Sequence, residues 1–234
     1  MNIEGFARRW FNRMFQPREV SIEGIRIRVP DLASARIRRA IYDGYYEAPE
    51  LRLVKQHLQP DDRVMEIGAG IGLLSGFSAK MIGSERVFAF EANPALEIAI
   101  RENYALNHVA PTLGMALIGH GEGERDFFVG KNFWASSIYQ KAEGARPIKV
   151  PILDFNTTLR SIDPTFLYID IEGGEYDLIP GADFHNVRKL LIEIHDWALT
   201  EEQVASTIQK LEKHGFVLKG KGGSDDYYYE RADS

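Results

Sequence analysis

The sequence predicts an α/β fold, with a mostly parallel sheet, helices on both faces and an N-terminal helix and hairpin cap. Three observations predict it. From residue 63 onward, short apolar runs alternate with helical segments, the pattern of parallel strands joined by crossover helices. The first apolar run ends in the turn Gly68-Ala69-Gly70-Ile71-Gly72, where glycines let a strand bend sharply into a helix. The composition is that of an ordinary globular chain, 234 residues with 44% apolar and 26% charged.

The elements follow in order. Phe6, Trp10 and Met14 recur at helical spacing among arginines, which predicts an amphipathic helix over 3–15. Apolar residues alternate on both sides of Glu23-Gly24, the mark of a hairpin. Two helices are expected near 32–43 and 49–58. Strands and helices then alternate: 63–67, 71–81, 86–91, 94–107 and 114–119. After an interruption come 166–170, 175–179, 188–194 and 200–214, and a closing hairpin near 216–219 and 225–230. The interruption, near 120–160, holds turns and two β-like runs, Asp126–Val129 and Ile148–Leu153, and reads as an insertion ending in a helix near 156–161. The division is a cap over 1–45 and a larger domain over 46–234.

Charge and composition narrow the chemistry. The chain has no cysteine, which excludes disulfides, thiolate nucleophiles and cysteine-held zinc. Its net charge of −6 argues against nucleic acid as a partner. Residues 1–40 carry nine arginines and four acids, so the cap is basic and the remainder strongly acidic. No apolar run approaches a membrane span or a leader's core, so no stable membrane insertion is expected and the expected compartment is the cytoplasm.

Four blocks carry chemistry. Glu66 precedes the glycine turn, and a dinucleotide fingerprint would want its third glycine where Leu73 stands. An acid there suits a cationic ligand such as S-adenosylmethionine better than a phosphate. Glu91 ends the second strand, where a carboxylate can accept both ribose hydroxyls of NAD or of S-adenosylmethionine alike. Asp170, Glu172 and Glu175 follow an apolar strand around Gly173-Gly174. Three acids this close call for a nearby cation or proton, although Glu175 alone suits a helix cap equally well. Glu193 and His195 share a strand face near its C-terminal end, which makes His195 a candidate base.

In this order the motifs resemble the FkbM methyltransferase family, within the class I S-adenosylmethionine-dependent enzymes. The resemblance spans about residues 40–230. Its carriers include Tyr46-Glu47, Glu66 through Gly72, Glu91-Ala92-Asn93-Pro94, Asn103, Asn107, Ala116-Leu117 and Gly123-Glu124. Ile169 through Glu175, then Pro180-Gly181, and Ile192 through His195 complete them. The family often has Asp at the place of Glu66 and Ala at that of Gly174, both mild departures.

The resemblance implies a Rossmann-like seven-stranded sheet, order 3-2-1-4-5-7-6 with the seventh strand antiparallel, and methylation of a hydroxyl on a sugar or other small acceptor. It implies that Gly68, Gly70 and Gly72 wrap the methionine end of S-adenosylmethionine, with Glu66 and Ala69 also among the cofactor-binding residues. Glu91 would hold the ribose, Ala92 and Asn93 would also contact the cofactor, and Ala116 and Leu117 would flank adenine. His195 is the expected base, Glu172 its rival, and Asp170 a pocket-shaping or cofactor-holding acid. Glu47, Trp134, Ser136, Ser137 and Glu175 are candidates for the acceptor side. No metal is assigned. A Mg²⁺-assisted or N-directed methyltransferase, with Asp170 and Glu172 as the metal acids, is the nearest alternative. A nicotinamide oxidoreductase and a non-catalytic module follow. The basic cap reads as a docking helix or a homodimer contact.

Overall fold

The computed structural model describes residues 3–129, 146–195 and 197–232. The cap opens with helix α1 (Ile3–Phe15) and the antiparallel pair β1 (Glu19–Ile22) and β2 (Ile25–Arg28). Glu23 and Gly24 both have positive φ, 50° and 86°, the two-residue turn whose twist matches paired strands. Helix α2 (Ala35–Asp43) begins at Ser34, whose side chain accepts from Ile37 N, and ends at Gly44 in the left-handed region. Helix α3 (Ala48–His57) leads into the larger domain.

Ile22, Ile25 and Ile27 are buried in one continuous core with sheet residues such as Val64, Val87 and Phe166. Each such side chain contributes about 1.5–3 kcal/mol, so the hairpin is part of the main core. The outer side of α1 differs. Trp10, Phe11, Met14 and Phe15 are more than half exposed, while Asn12 turns inward and donates to Tyr42 O.

The larger domain runs β3 (Val64–Ile67), α4 (Leu73–Ile82), β4 (Val87–Glu91), α5 (Glu97–Leu106) and β5 (Thr112–Met115). Then come β6 (Leu117–Gly119), β7 (Gly123–Val129), β8 (Arg146–Asp154), α6 (Phe155–Ile162) and β9 (Phe166–Ile169). It closes with α7 (Glu175–Leu178), β10 (Lys189–Glu193), α8 (Glu201–Lys213), β11 (Phe216–Lys221) and β12 (Asp226–Arg231). Seven strands form one sheet in the order β11-β12-β10-β9-β3-β4-β5, with β12 antiparallel to both neighbours. Counted along the chain this is 3-2-1-4-5-7-6, as the resemblance implies. β3 and β9 are buried at every position, as befits central strands covered on both faces.

One expected strand divides. The run 114–119 breaks at Ala116: β5 stays at the edge of the large sheet, and β6 turns away to pair with β8. With β7 these make a separate three-stranded sheet, β6-β8-β7. The two β-like runs of the insertion are its strands, and α6 follows them.

Two asparagines, in α5 and at its C-cap, join the cap hairpin to the larger domain. Asn103 Oδ1 accepts from Arg28 N at 2.8 Å, and Asn107 Oδ1 accepts from Arg26 N at 2.9 Å. Asn107 Nδ2 donates to Arg26 O at 2.7 Å. Side-chain amides one helical turn apart thus take the place of a neighbouring strand along β2.

Candidate active site

In this sheet the chain runs β3-β4-β5 to one side and then crosses to β9 on the other. The switch in direction falls between β3 and β9, and ligands of open α/β sheets bind there, beyond the strands' C-terminal ends. Gly68 and Asp170 leave those two strands side by side. Asp170 N donates to Ile67 O at 2.9 Å, and a Cβ on Gly68 would lie 1.6 Å from the Asp170 carbonyl oxygen. Only glycine, here at φ 89°, lets the two strand ends approach this closely.

A cavity of about 400 Å³ opens at this point, within the usual size of a small-molecule site. Gly68, Gly70, Glu91, Ala92, Asp170 and Glu172 line it, and Ala116 and Leu117 form another wall. Glu47 and Tyr46, from the end of the cap, line it as well. Phe90 reaches into it across Gly114, its register partner on β5. A Cβ there would meet the Phe90 ring at 2.6 Å.

Glu91 is held from two sides. Its Oε1 accepts from Asn93 N at 2.7 Å, and its Oε2 accepts from Gly70 N at 2.9 Å. Burial pushes its carboxyl up to about 7, against the pull of the Asn93, Gly70 and Ala92 amides. A carboxylate offers about four acceptor directions, so capacity for ribose hydroxyls remains.

The amides of the glycine turn are spent inside the protein. Gly68 N and Ala69 N donate to Phe90 O, Gly72 N to Ala69 O, and Gly70 N to Glu91. A pyrophosphate would find none of these four N–H groups available and would face carboxylates instead. A cationic, phosphate-free cofactor fits. Glu66, 2% exposed, has an Oε2 with no hydrogen-bond partner, and it lines a smaller cavity beside the first with Glu47 and Asp170. Burial raises Glu66 to about 8 and holds Glu47 and Asp170 well above the usual carboxylate range. A positive charge brought here relieves all three. These residues fit S-adenosylmethionine, with its sulfonium and ammonium.

The family model described as Methyltransferase FkbM domain matches residues 66–218. The chain belongs to the FkbM methyltransferase family.

Solved structures share the architecture of this FkbM domain. The tRNA (uracil-54, C5)-methyltransferase of Pyrococcus abyssi, in complex with S-adenosyl-L-homocysteine, has a TM-score of 0.52 at 10% identity. That match covers 92% of this chain and 44% of the other. Trm1 from Pyrococcus horikoshii, with S-adenosyl-L-methionine, has a TM-score of 0.50 at 12% identity, covering 90% and 60%. Ribosomal protein L11 methylase from Lactobacillus delbrueckii subsp. bulgaricus has a TM-score of 0.48 at 15% identity, covering 80% and 81%. The first two show a shared fold at identities too low to carry a substrate across.

Not every expected residue of the FkbM site faces the cavity. Gly72 packs under α5, where a Cβ would meet Tyr104 at 2.8 Å. Ala69 is buried away from the cavity, and Asn93 acts through its amide on Glu91 and its side chain on Ala95 N. Glu175 is wholly buried, accepting from Gly173 N at 3.1 Å and bonded to His195 Nδ1 at 2.9 Å. Trp134, Ser136 and Ser137 lie outside the described residues.

His195 is the expected base. Its ring is buried and does not line the cavity. Burial alone would lower it, but the Glu175 bond and the Asp170 and Glu172 charges raise it to about 10. This bias toward the protonated ring favours Glu172 as the base. Glu172 lines the cavity, and burial raises its carboxyl to about 7 against the pull of His195.

His120, Arg125 and Phe127 are among the cavity residues that sequence reasoning missed. Arg125 and Phe127 stand two apart on β7, so period-two alternation places them on one face. His120 Nε2 meets Leu178 O at 2.8 Å.

Proposed function

We propose that this domain binds S-adenosylmethionine in the cavity and transfers its methyl group to a hydroxyl oxygen of a sugar or other small acceptor. The observation that carries the reading is Glu91, a ribose-type acceptor fixed beside a glycine turn whose amides are already used. Bound there, S-adenosylmethionine supplies a methyl carbon that is open to in-line attack. Glu91 holds the ribose, and Ala116 and Leu117 flank the adenine. Glu47, Glu66 and Asp170 surround the cationic methionine end. Glu172 takes the acceptor's hydroxyl proton, and a carboxyl near 7 is well matched to that task at neutral pH. Arg125 and Phe127 stand on the acceptor side, with polar and apolar contacts for a hydroxylated ring. Holding the acceptor oxygen in line supplies much of the rate.

Residues 1–45 serve in this reading as a cap on a methyltransferase domain over 46–234, with His120, Arg125 and Phe127 of the insertion on the wall of the acceptor pocket. The acidic balance of the chain, −6 overall, supports a small acceptor over nucleic acid. Among the described residues, no helix is long and apolar enough to cross a membrane.

Calorimetry with S-adenosylmethionine and with NAD(H), followed by an acceptor panel read by release of S-adenosylhomocysteine, tests the proposal. Hydroxyl-bearing small molecules should turn over. NAD(H) binding without S-adenosylmethionine binding would overturn the cofactor, and turnover restricted to amines or RNA would overturn the acceptor class.

A further inference from the structure

The buried His195 ring has a second feature that methyl transfer does not use. Nδ1 meets the fully buried Glu175 at 2.9 Å, which fixes the ring and aims Nε2 at three carboxylates. Nε2 lies 3.4 Å from Glu172 Oε2, 3.4 Å from Glu193 Oε1 and 3.6 Å from Asp170 Oδ1. Asp170 Oδ1 is sealed from solvent and has no hydrogen-bond partner.

These separations are too long for charge-assisted hydrogen bonds, which close to about 2.7–2.9 Å. They match two atoms sharing one ion. Bonds of about 2.1 Å opened to ~110–120° put ligand atoms roughly 3.4–3.6 Å apart. Ligand atoms of Asp170, Glu193 and His195 all lie within 4.8 Å of one another. A histidine that ligates a metal typically donates its other ring N–H to a carboxylate, and Glu175 stands in that place. Ligand atoms of Glu50 and Asp226 also lie within 4.8 Å of Glu193 and of each other.

We propose that Asp170 Oδ1, Glu193 Oε1 and His195 Nε2 bind one divalent first-row transition ion, with Glu175 orienting the imidazole. An imidazole among carboxylates favours Mn²⁺ or Zn²⁺ over Mg²⁺. Glu172, the residue that takes the hydroxyl proton, stands 3.4 Å from His195 Nε2 and lines the cavity, so the ion would sit beside the hydroxyl and polarise it. The site differs from the Asp170–Glu172 pair that the sequence suggests for Mg²⁺, because its third ligand is a histidine from β10's end.

The test needs neither cofactor nor acceptor, so it stands or falls apart from the methyltransferase assignment. The full chain is stripped with EDTA, freed of chelator and titrated with Mn²⁺ alone. Free Mn²⁺ is counted by electron paramagnetic resonance. One ion per chain should bind saturably, and spin-echo spectra should show coupling to one imidazole nitrogen. His195→Gln and Glu193→Gln should each weaken binding at least ~100-fold, and Glu175→Gln about 10- to 100-fold. Mn²⁺ should raise the unfolding midpoint of the native chain but not of His195→Gln. Absence of saturable binding, or bound Mn²⁺ without nitrogen coupling, overturns the proposal in the native chain, whatever the folding of the variants. Unchanged affinity in a folded His195→Gln does the same.

Discussion

Replacing Glu91 probes the site at its best-defined point. Glu91 is 8% exposed, and its two oxygens are aimed by Asn93 N at 2.7 Å and Gly70 N at 2.9 Å. Hydrogen bonds to a charged acceptor contribute about 1.5–3 kcal/mol each. Loss of two ribose hydroxyl bonds in Glu91→Ala should therefore cost roughly 3–6 kcal/mol, a weakening of about 10²- to 10⁴-fold in Kd. The raised carboxyl adds a pH signature. With the group near 7 in the free protein, only the ionised fraction accepts both hydroxyls. Affinity should then be flat above pH 8 and about tenfold weaker at pH 6 than at pH 8. Glu91→Gln keeps the volume and removes the titration, so its Kd should be weak at every pH. Isothermal titration with S-adenosylhomocysteine at pH 6, 7 and 8.5 measures all three proteins. A Kd for Glu91→Ala within threefold of the native value at pH 8.5 refutes the ribose role. Tight binding by Glu91→Gln with the native pH dependence intact refutes the titration argument.

Glu172→Gln should lower kcat by about 10²- to 10⁴-fold while leaving the Kd for S-adenosylhomocysteine within threefold, and equal loss in both would move Glu172 from base to binding group. Asn103→Ala and Asn107→Ala each strip partners from β2 amides, and each should cost about 1–3 kcal/mol in urea unfolding; a change under about 0.5 kcal/mol would show that water replaces them. The cofactor-free protein should lose stability as pH rises. Between the ordinary 4.5 and the folded 7 of Glu91, the folded state holds a proton that the unfolded state has released, so roughly 3 kcal/mol disappears across that window. Glu66, raised to about 8, extends the decline upward, and equal urea midpoints at pH 5.5 and 8.5 would contradict it.

Much of this fold is legible in the sequence because parallel strands buried on both faces leave unbroken apolar runs, each closed by a chemically distinct end. Ile67 into Gly68, Phe90 into Glu91 and Ile169 into Asp170 mark three strand ends that converge on one cavity. Where the sequence falls short, the deciding contacts come from distant segments. The apolar run through Ala116 carries no sign that β6 leaves one sheet for another, because its partner, β8, lies more than 25 residues on. Asn103 and Asn107 stand out by spacing, but their partner is a hairpin some 80 residues earlier. His195 is the sharpest case. Its place at a strand end is visible in the pattern, and a neutral imidazole there would make a good base. Its bias toward the protonated form comes from Glu175, Asp170 and Glu172, which only the folded chain brings around one ring.

The acidic excess of residues beyond the cap has a physical consequence for binding. Glu47, Glu66, Glu91 and Asp170 are all pushed upward, burial being the first cause in each. In the cofactor-free protein these groups are biased toward their protonated forms, Glu66 near 8 and Glu91 near 7. A ligand carrying an ammonium and a sulfonium reverses that preference, and Glu91 must be ionised to accept two hydroxyls. Binding at pH 7 should therefore expel on the order of one proton or more. Calorimetry of S-adenosylmethionine in phosphate and in Tris reads that proton directly, since the apparent enthalpy shifts with the ionisation enthalpy of the buffer. S-adenosylhomocysteine lacks the sulfonium and should expel fewer protons, the difference isolating the charge beside the transferred methyl group. An enthalpy identical in both buffers would mean that these carboxyls do not exchange protons on binding. The acidic cluster would then have to be neutralised by something other than the cofactor.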